Sequence, residues 1–409
     1  MKKIVWLLIV FLLFTISLSF SKTTINFWYA LSGNSGSVFK GIVDEFNSTN
    51  EEIYVNAIYS GKYADTAQKV TASLASDTLP DGGIIPAGPI FTGARDNYLI
   101  LEYIENDTDF IMTDFYDAMW DYSKYNGKIC AIPYNISTPI LYYNKDLMKG
   151  SGLDPENPPR NWDELIEFSK KISKDKNGDG IMDVWGLNIA DVVWIFKAFL
   201  YQNNCEIIDS EKCDPLFNNE NGIEAAKYWK KLIEENAMPV GMHALAEKMF
   251  LSGNLGFYIG TSSRIGKWHG NTQFDLGVAF IPKGKRYGVP IGGAVAVIFP
   301  KNKEIEDATY EFIKYLVSPD KIAEFSAKTG YIPIRKSTLK EDEIKELFKN
   351  NPLYEIPFKQ LDNAFSYWHF DQMGNMDSLF WEAIENIERN VFTPEEAMND
   401  IAKRLKEEM

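Results

Sequence analysis

The fold is decided by three short apolar runs near the start of the chain: TTINFWYAL (23–31), EIYVNAIYSG (52–61) and DGGIIPA (81–87). Two intervening segments, residues 38–46 and 62–76, carry apolar residues at helical spacing. Strand, helix, strand, helix and strand in this order predict an α/β layer with a parallel sheet. In such sheets, ligands collect at the carboxyl ends of the strands.

A second α/β region follows in the sequence. GKICAIPYNISTPILYYNKDLM (127–148) is almost continuously strand-like around a polar kink. Further strand signals are NLGFYIGTSS (254–263), FDLGVAFIP (274–282) and YGVPIGGAVAVIFP (287–300), after which helix signals dominate. A chain of 409 residues with this pattern is long enough for two lobes at roughly 100–200 residues per domain.

Residues 1–21 have the pattern of a secretory signal peptide. Two lysines precede the apolar run 4–16, and small residues around Ser21 offer a cleavage point. The run is shorter than the roughly 20 residues of a membrane span. No cysteine follows it, so a lipid anchor on an N-terminal cysteine is not expected. We therefore expect a mature chain that starts near Lys22 and is secreted or periplasmic.

The charge balance and the motifs exclude several function classes. The chain has 42 basic and 57 acidic residues, a net charge of −15, which argues against binding nucleic acid or an anionic membrane. The motifs GxSxG, HExxH, GxGxxG and the P-loop are absent, so we expect neither an enzyme nor a cofactor. A secreted glycoside hydrolase remains a minor alternative, because such an enzyme needs only two carboxylates about 5–10 Å apart.

The chain has three cysteines, and two of them flank a short polar loop. Cys205 and Cys213 stand at the ends of CEIIDSEKC, where export would permit a disulfide, and free thiols are the alternative. Cys130 lies in an apolar run and is expected to be a small buried side chain. No Cys/His cluster has the spacing of a zinc site.

KDKNGDGIMDVWG (174–186) is similar to the first part of a calcium-binding loop. Oxygen ligands would come from the side chains of Asp175, Asn177, Asp179 and Asp183, together with the carbonyl of Ile181. The glutamate that an EF-hand carries at position 12 is missing, so any site would be weak. We expect a structural Ca²⁺ ion here, and the alternative is a metal-free polar turn.

STPILYYNKDLMKGSGLDPENPPRNWDEL (137–165) resembles the extracellular solute-binding proteins (family 1) that serve ATP-binding-cassette (ABC) importers, and within them the glycerol-3-phosphate-binding proteins. Supporting stretches are YSGKYADT (59–66), PIGGAVAVIF (290–299), AKTGYIPI (327–334) and TPEEAM (393–398). The resemblance implies a two-lobed, type II periplasmic-binding-protein clamshell with crossover hinge strands. It also implies a carbohydrate ligand delivered to transmembrane permease subunits by a monomer.

The resemblance suggests how the chain divides between the lobes. Lobe one is expected to combine residues 22–134 with 274–328, and lobe two residues 135–273 with 329–409. Ligand contacts are expected at the positions that match the family motifs, namely Tyr63, Ser137, Ser262 (or its neighbour Thr261), Gly292 and Tyr331.

Two departures from the glycerol-3-phosphate binders bear on the ligand. Asp377 stands where their phosphate-binding arginine falls, and Ala87 stands near their acidic hydroxyl acceptor. Asp377 would repel a phosphate dianion but could accept hydrogen bonds from ligand hydroxyls, and we expect it to bind the ligand; Arg264 offers a displaced cation. The sequence therefore favours a neutral sugar, oligosaccharide or polyol over glycerol 3-phosphate or a glycerophosphodiester. Sugars stack on aromatic rings, and the candidate platforms are Trp28, Trp194, Trp268 and Trp368.

Overall fold

The computed structural model describes residues 22–87, 99–125, 127–209, 212, 214–366 and 373–408. The strands are β1 (Thr23–Tyr29), β2 (Ile53–Tyr59), β3 (Gly82–Pro86), β4 (Lys124–Tyr125), β5 (Lys128–Ile129), β6 (Ile132–Ser137), β7 (Pro139–Asn144), β8 (Trp185–Ile189), β9 (Leu255–Thr261), β10 (Leu276–Ala279), β11 (Val289–Pro290), β12 (Gly292–Ile298) and β13 (Ala364–Phe365). The α-helices are α1 (Gly33–Thr49), α2 (Tyr63–Ser76), α3 (Leu99–Asn106), α4 (Asp117–Tyr122), α5 (Lys145–Gly150), α6 (Trp162–Ile172), α7 (Val192–Gln202), α8 (Glu220–Glu234), α9 (Ala246–Leu251), α10 (Ile265–Trp268), α11 (Lys303–Leu316), α12 (Pro319–Thr329), α13 (Asp342–Asn350), α14 (Glu355–Lys359), α15 (Met373–Glu388) and α16 (Pro394–Glu408). The predicted signal peptide, residues 1–21, lies outside this part of the chain.

Lobe one is built on a five-stranded sheet in the order β2-β1-β3-β12-β6. The three strands predicted from the opening runs are parallel to one another, as their spacing through helices requires. Strand β12, which comes much later in the chain, pairs antiparallel with both β3 and β6. The buried strand residues and the apolar faces of the helices α1, α11 and α12 form one core. The sequence-based prediction of an α/β layer is confirmed here.

Lobe two is built on a four-stranded sheet in the order β10-β7-β9-β8. Strands β8 and β9 are parallel, whereas β7 is antiparallel to both β9 and β10. Helices α6, α7, α8, α15 and α16 cover one face and share a core with it. A smaller cluster on the other face includes Tyr142, Tyr258 and Trp268.

The chain crosses between the lobes at three places. Thr138 alone separates β6, in the first sheet, from β7, in the second. Ile291 likewise separates β11 from β12, and its N–H donates to the carbonyl oxygen of Phe365 at 2.9 Å, on the third crossing segment. The short strands β11 and β13 pair in parallel beside this contact. These crossings confirm the expected type II architecture.

The predicted lobe boundaries are wrong at two points. Residues 274–290 belong to lobe two, because β10 pairs with β7 and Val289 packs in the lobe-two core. Ile332 and Ile334 pack in the core of lobe one, so lobe one extends past residue 328. Strand spacing does not reveal which sheet a strand joins, and these pairings are therefore visible only in the folded chain.

Among the described residues, no helix combines the length and the apolar character needed to cross a membrane.

Candidate ligand-binding cleft

A cavity of about 380 Å³ opens between the two lobes. Both lobes and two of the crossings contribute to it, and it lies at the carboxyl ends of β3 and β6, where an α/β sheet is expected to bind ligands. Its described lining residues are Tyr63, Pro86, Ala87, Tyr122, Ser137, Asp191, Trp194, Thr261, Ser263, Arg264, Gly292, Gly293 and Tyr331.

Three tyrosines form the lobe-one wall. Tyr63 is the first residue of α2, and its hydroxyl accepts a hydrogen bond from the buried Asn135 side chain at 2.8 Å. Burial raises the pKa of Tyr63 well above its ordinary value, and the neighbouring hydroxyl of Tyr331 raises it further. Tyr122 donates to the carbonyl oxygen of Gly293 at 3.2 Å. This wall therefore offers aromatic rings, each with an apolar face and a hydroxyl.

The floor of the cleft is formed where the two sheets meet. Ser137, the last residue of β6, pairs with Gly292, the first residue of β12. A Cβ at Gly292 would come within 2.8 Å of the Trp194 ring, and Gly293 has φ +134° with the Asn135 carbonyl oxygen only 2.0 Å from where its Cβ would be. Glycine is needed at both positions because the backbones and the indole approach so closely.

Trp194 and Asp191 supply the lobe-two wall at the start of α7. The indole Nε1 of Trp194 is shielded from solvent and has no hydrogen-bond partner among the described residues. Asp191 precedes the helix but does not cap it, because its backbone is left-handed (φ 50°, ψ 47°) and its side chain makes no capping bond. Desolvation in the cleft raises the pKa of Asp191, against the opposing effect of Arg264.

Arg264 is the only cation among the described lining residues, and it already has partners. Its guanidinium nitrogens lie 4.0 Å from a carboxylate oxygen of Asp191 and 3.3 Å from one of Glu247. The guanidinium also lies over the rings of Tyr258 and Trp268, at 5.5 and 5.8 Å from the centroids. Two carboxylates therefore balance this charge, and the two rings hold it in place.

Most of the residues predicted to bind the ligand lie together in this cleft. The six that line it are Tyr63, Ser137, Gly292, Tyr331, Arg264 and Trp194. Ser262 is fully buried behind the wall, where its hydroxyl accepts a hydrogen bond from the N–H of Thr138 at 3.3 Å. Its neighbours Thr261 and Ser263 line the cavity instead, so the hydroxyls come from either side of the predicted residue.

Asp377 is not among the described lining residues of the cavity. It lies on α15, and its carboxylate accepts a hydrogen bond from the buried ammonium group of Lys197. Asp377 was expected to accept ligand hydroxyls, but it instead forms an ion pair that joins α15 to α7. The two partners are 180 residues apart in the chain, which is why the sequence did not suggest the pair.

The other candidate stacking platforms lie elsewhere. Trp268 is buried in the small lobe-two cluster, and Trp28 packs partly buried against the core of lobe one. Trp368 lies outside the described residues. Ala87, at the position of the missing acidic acceptor, does line the cleft.

Sequence reasoning missed Asp191 and Tyr122. Asp191 stands directly before an apolar helix, a position that indicates an N-cap rather than a ligand contact. A left-handed backbone at a residue other than glycine is uncommon and concentrates at functional sites, but it is a property of the folded chain. Tyr122 ends the short helix α4 in a stretch that matches none of the family motifs.

The predicted calcium loop is a set of turns closed by its own side chains. Asp175 accepts hydrogen bonds from the N–H groups of Gly178 (2.7 Å) and Gly180 (2.8 Å), and these bonds lower the pKa of its carboxyl. Asp183 accepts from the N–H of Lys176 at 2.7 Å. Within the described residues, no three or more Asp, Glu, His or Cys side chains are grouped to hold a metal ion. The calcium site, with Asn177, Asp179 and Ile181 as further ligands, stays a prediction.

The two alternatives for Cys205 and Cys213, a disulfide or free thiols, stay open as a prediction, because Cys213 lies outside the described residues. Cys205 is fully buried with a free thiol, and desolvation raises its pKa to about 12. Cys130 is buried as expected, and desolvation raises its pKa to about 11.

The chain has relatives over almost its whole length. It is 24% identical to the sn-glycerol-3-phosphate-binding periplasmic protein UgpB of Salmonella typhimurium, and the match covers 93% of this chain and 91% of that protein. It is 25% identical to UgpB of Yersinia pseudotuberculosis with the same coverage.

Solved structures share the fold. The cyclic α-maltosyl-1,6-maltose binding protein of Arthrobacter globiformis superposes with a TM-score of 0.82 and 25% identity, over 94% of this chain and 98% of that one. UgpB of Mycobacterium tuberculosis in complex with glycerophosphocholine superposes equally well, with 24% identity and the same coverage. The family model described as "bacterial extracellular solute-binding protein" matches residues 41–354 of this chain. The chain therefore belongs to the bacterial extracellular solute-binding protein family.

Proposed function

We propose that this protein is the extracytoplasmic substrate-binding protein of an ABC importer and binds a neutral carbohydrate (a sugar, oligosaccharide or polyol) in the interlobe cleft. The observation that carries the proposal is the charge of the cleft. Arg264 faces Asp191 and Glu247, so the described lining offers no free cation to an anionic ligand.

The charge arrangement disfavours a phosphate ester. A phosphate placed against Arg264 would also face the Asp191 carboxylate, and two like charges 4 Å apart repel by roughly 1–4 kcal/mol between bulk water and a protein surface. A neutral ligand meets no such repulsion. Asp191 would instead accept hydrogen bonds from sugar hydroxyls. The side chain of Ala87, near the position of the relatives' acidic acceptor, cannot do so.

The other lining groups suit a sugar. The faces of Trp194, Tyr63 and Tyr331 would cover the C–H surfaces of a pyranose ring, and the hydroxyls of Ser137 and Thr261 would bind its oxygen atoms. The volume of about 380 Å³ lies within the roughly 300–1,000 Å³ typical of small-molecule sites.

A second candidate ligand is glycerol 3-phosphate or a glycerophosphodiester. It is favoured by the names of the relatives, since UgpB proteins match over 93% of the chain and one solved UgpB structure holds glycerophosphocholine. In this case Arg264 would contact the phosphate, and Asp191 would have to turn away or be protonated. A phosphodiester, with one negative charge, would be repelled less than a phosphate monoester.

The two candidates are separated by calorimetry on the purified protein. The probes are maltose, maltotriose, sn-glycerol 3-phosphate and glycerophosphocholine, each with the unmutated protein and with Arg264→Gln. We expect a neutral sugar to bind and the phosphate monoester not to bind. Binding of glycerol 3-phosphate or glycerophosphocholine that Arg264→Gln abolishes would overturn the proposal in favour of the second candidate.

A glycoside hydrolase activity is disfavoured by the carboxylates of the cleft. Only Asp191 is a carboxylate among the described lining residues, whereas a glycosidase needs two on opposite sides of the scissile bond. Chromatography of maltotriose incubated with the protein is expected to show the sugar unchanged. Release of smaller sugars, lost in Asp191→Asn, would contradict a purely binding role.

We further propose that the protein is a monomer outside the cytoplasm that docks on permease subunits after its lobes close. The three crossings between lobes support closure by hinge bending, as in other proteins with two lobes joined by short strands. Small-angle scattering with and without the ligand found by calorimetry should show compaction of a monomer. An unchanged radius of gyration at saturating ligand would count against closure.

A further inference from the structure

We propose that Gln360 is a positioning residue of the cleft: its side chain ties the first crossover to lobe two and so sets the hydroxyls of Ser137, Thr261 and Ser263. Gln360 is 1% exposed and is not among the described lining residues, so it acts through the residues it holds. The proposal deepens the proposed function, since it concerns the same cleft.

The side chain of Gln360 joins its own segment to two others. Its Nε2 donates to the Thr138 hydroxyl at 3.2 Å and to the carbonyl oxygen of Pro139 at 2.8 Å. Its Oε1 accepts from the N–H of Ile281, two residues after β10, at 3.0 Å. Both amide hydrogens and the amide oxygen of Gln360 therefore make hydrogen bonds in a region shielded from water. A polar group left unpaired there would lower the stability of the folded protein.

Thr138 passes this constraint to the residues that face the ligand. It is fully buried, its carbonyl oxygen accepts from the N–H of Ser262 at 2.9 Å, and its own N–H donates to the Ser262 hydroxyl at 3.3 Å. Ser137 directly precedes Thr138, and Thr261 and Ser263 flank Ser262. A displacement of Thr138 would therefore move all three hydroxyls of the cleft.

The lobe-one end of the same crossing is built differently. Ser137 pairs with Gly292, and Gly293 follows with a backbone that only glycine adopts readily. With the lobe-two end fixed by Gln360, rotation between the lobes is confined to the side of Ser137 and the two glycines. The ligand then contacts the pivot itself, which couples its binding to the angle between the lobes.

The test is hydrogen exchange on Gln360→Leu without any ligand. We expect the amides of Ile281 and Ser262 to exchange at least about tenfold faster, because Ile281 loses its acceptor and Thr138, the acceptor of the Ser262 N–H, loses its bond to Gln360. The matched control is Gln202→Leu, a glutamine in lobe two that is equally buried and also makes two side-chain hydrogen bonds. Gln202→Leu should leave exchange at the amides of Ile281 and Ser262 unchanged.

A gentler variant keeps the proposal testable if Gln360→Leu does not fold. Thr138→Val has nearly the same shape and removes only the hydroxyl that Gln360 contacts. It should also accelerate exchange of Ser262, by a smaller factor. Unchanged exchange at Ser262 in both folded variants, with acceleration only at Ile281, would show that Gln360 merely anchors the end of β10 and would overturn the proposal.

A second readout rests on the proposed function and uses maltotriose as the probe. Gln360→Leu should weaken its binding about tenfold, whereas Gln202→Leu should leave it within about twofold. Equal affinity in the two variants, despite faster exchange at Ser262, would refute a positioning role. If the unmutated protein does not bind maltotriose, the proposed ligand class is in doubt, and the exchange experiment alone decides the role of Gln360.

Discussion

Replacing Glu388 with alanine should destabilise the protein severely, although this residue lies far along the chain from most of lobe two. Glu388 ends α15 and is 3% exposed. Its carboxylate accepts three hydrogen bonds, from Trp229 Nε1 (2.8 Å), from the N–H of Gly241 (2.9 Å) and from His243 Nε2 (2.8 Å). Through these hydrogen bonds, Glu388 connects α15 to the core of lobe two.

The magnitude follows from what the substitution leaves behind. The other ring nitrogen of His243 lies 3.0 Å from the carbonyl oxygen of Ile189, so the ring is held by hydrogen-bond partners at both nitrogens. Without Glu388, the donors on His243, Trp229 and Gly241 lose their acceptor. An unsatisfied buried donor costs about 1–3 kcal/mol, and because three donors are affected we expect Glu388→Ala to lose about 3–5 kcal/mol of free energy of unfolding.

The assay is urea unfolding at pH 7, with Glu382→Ala as the matched control on the same helix. Glu382 pairs with Arg404 at 2.8 Å on the surface, where each side chain is more than a third exposed. Such a pair contributes at most about 1 kcal/mol. A loss for Glu388→Ala of no more than about 1 kcal/mol would refute the reasoning, since it would make the buried pair equivalent to the exposed one.

The same carboxylate predicts the direction of a pH effect. Burial alone would raise the pKa of Glu388, but the hydrogen bonds from His243, Trp229 and Gly241 lower it below its ordinary value of 4.5. A lowered folded-state pKa means that the stabilisation is present above pH 4.5 and is lost as the pH falls through the folded-state value. The difference in stability between the unmutated protein and Glu388→Ala should therefore shrink as the pH falls below 4.5.

Three further predictions concern the cleft and the thiols. Asp191→Asn should weaken binding of a neutral sugar by about tenfold or more, because it loses a hydrogen bond to a charged group, and should change the melting temperature little. Unchanged affinity in calorimetry would show that Asp191 does not contact the ligand. Gly293→Ala should destabilise the folded protein more than the control Gly270→Ala. A Cβ at position 293 would lie 2.0 Å from a carbonyl oxygen, whereas a Cβ at position 270 would meet no atom within 4 Å. Equal urea midpoints for the two variants would contradict this. Burial raises the pKa of Cys205 to about 12, so its thiol should react with a disulfide reagent at pH 8 only in urea, and rapid reaction in the folded protein would be the opposing result.

The sequence by itself determined the local elements and the class of fold. The period of the apolar residues predicted β1, β2 and β3 and their intervening helices, because strands and helices bury one face at fixed spacings. It also named six of the residues that line the cleft. Four of them, Tyr63, Ser137, Gly292 and Tyr331, lie in motifs whose positions the family resemblance carries over, whereas Arg264 and Trp194 were named for their charge and their ring.

Only the tertiary structure decided which lobe each strand joins and which charges meet. Strand β10 pairs with β7, and Asp377 pairs with Lys197, across separations of more than 100 residues, where a local pattern carries no information. Asp191 reaches the cleft through a left-handed backbone, and Ser262 turns away from it to hold Thr138. Hydrogen bonds and ion pairs of this kind depend on the positions of side chains in three dimensions, and these positions are fixed only when the two cores have packed.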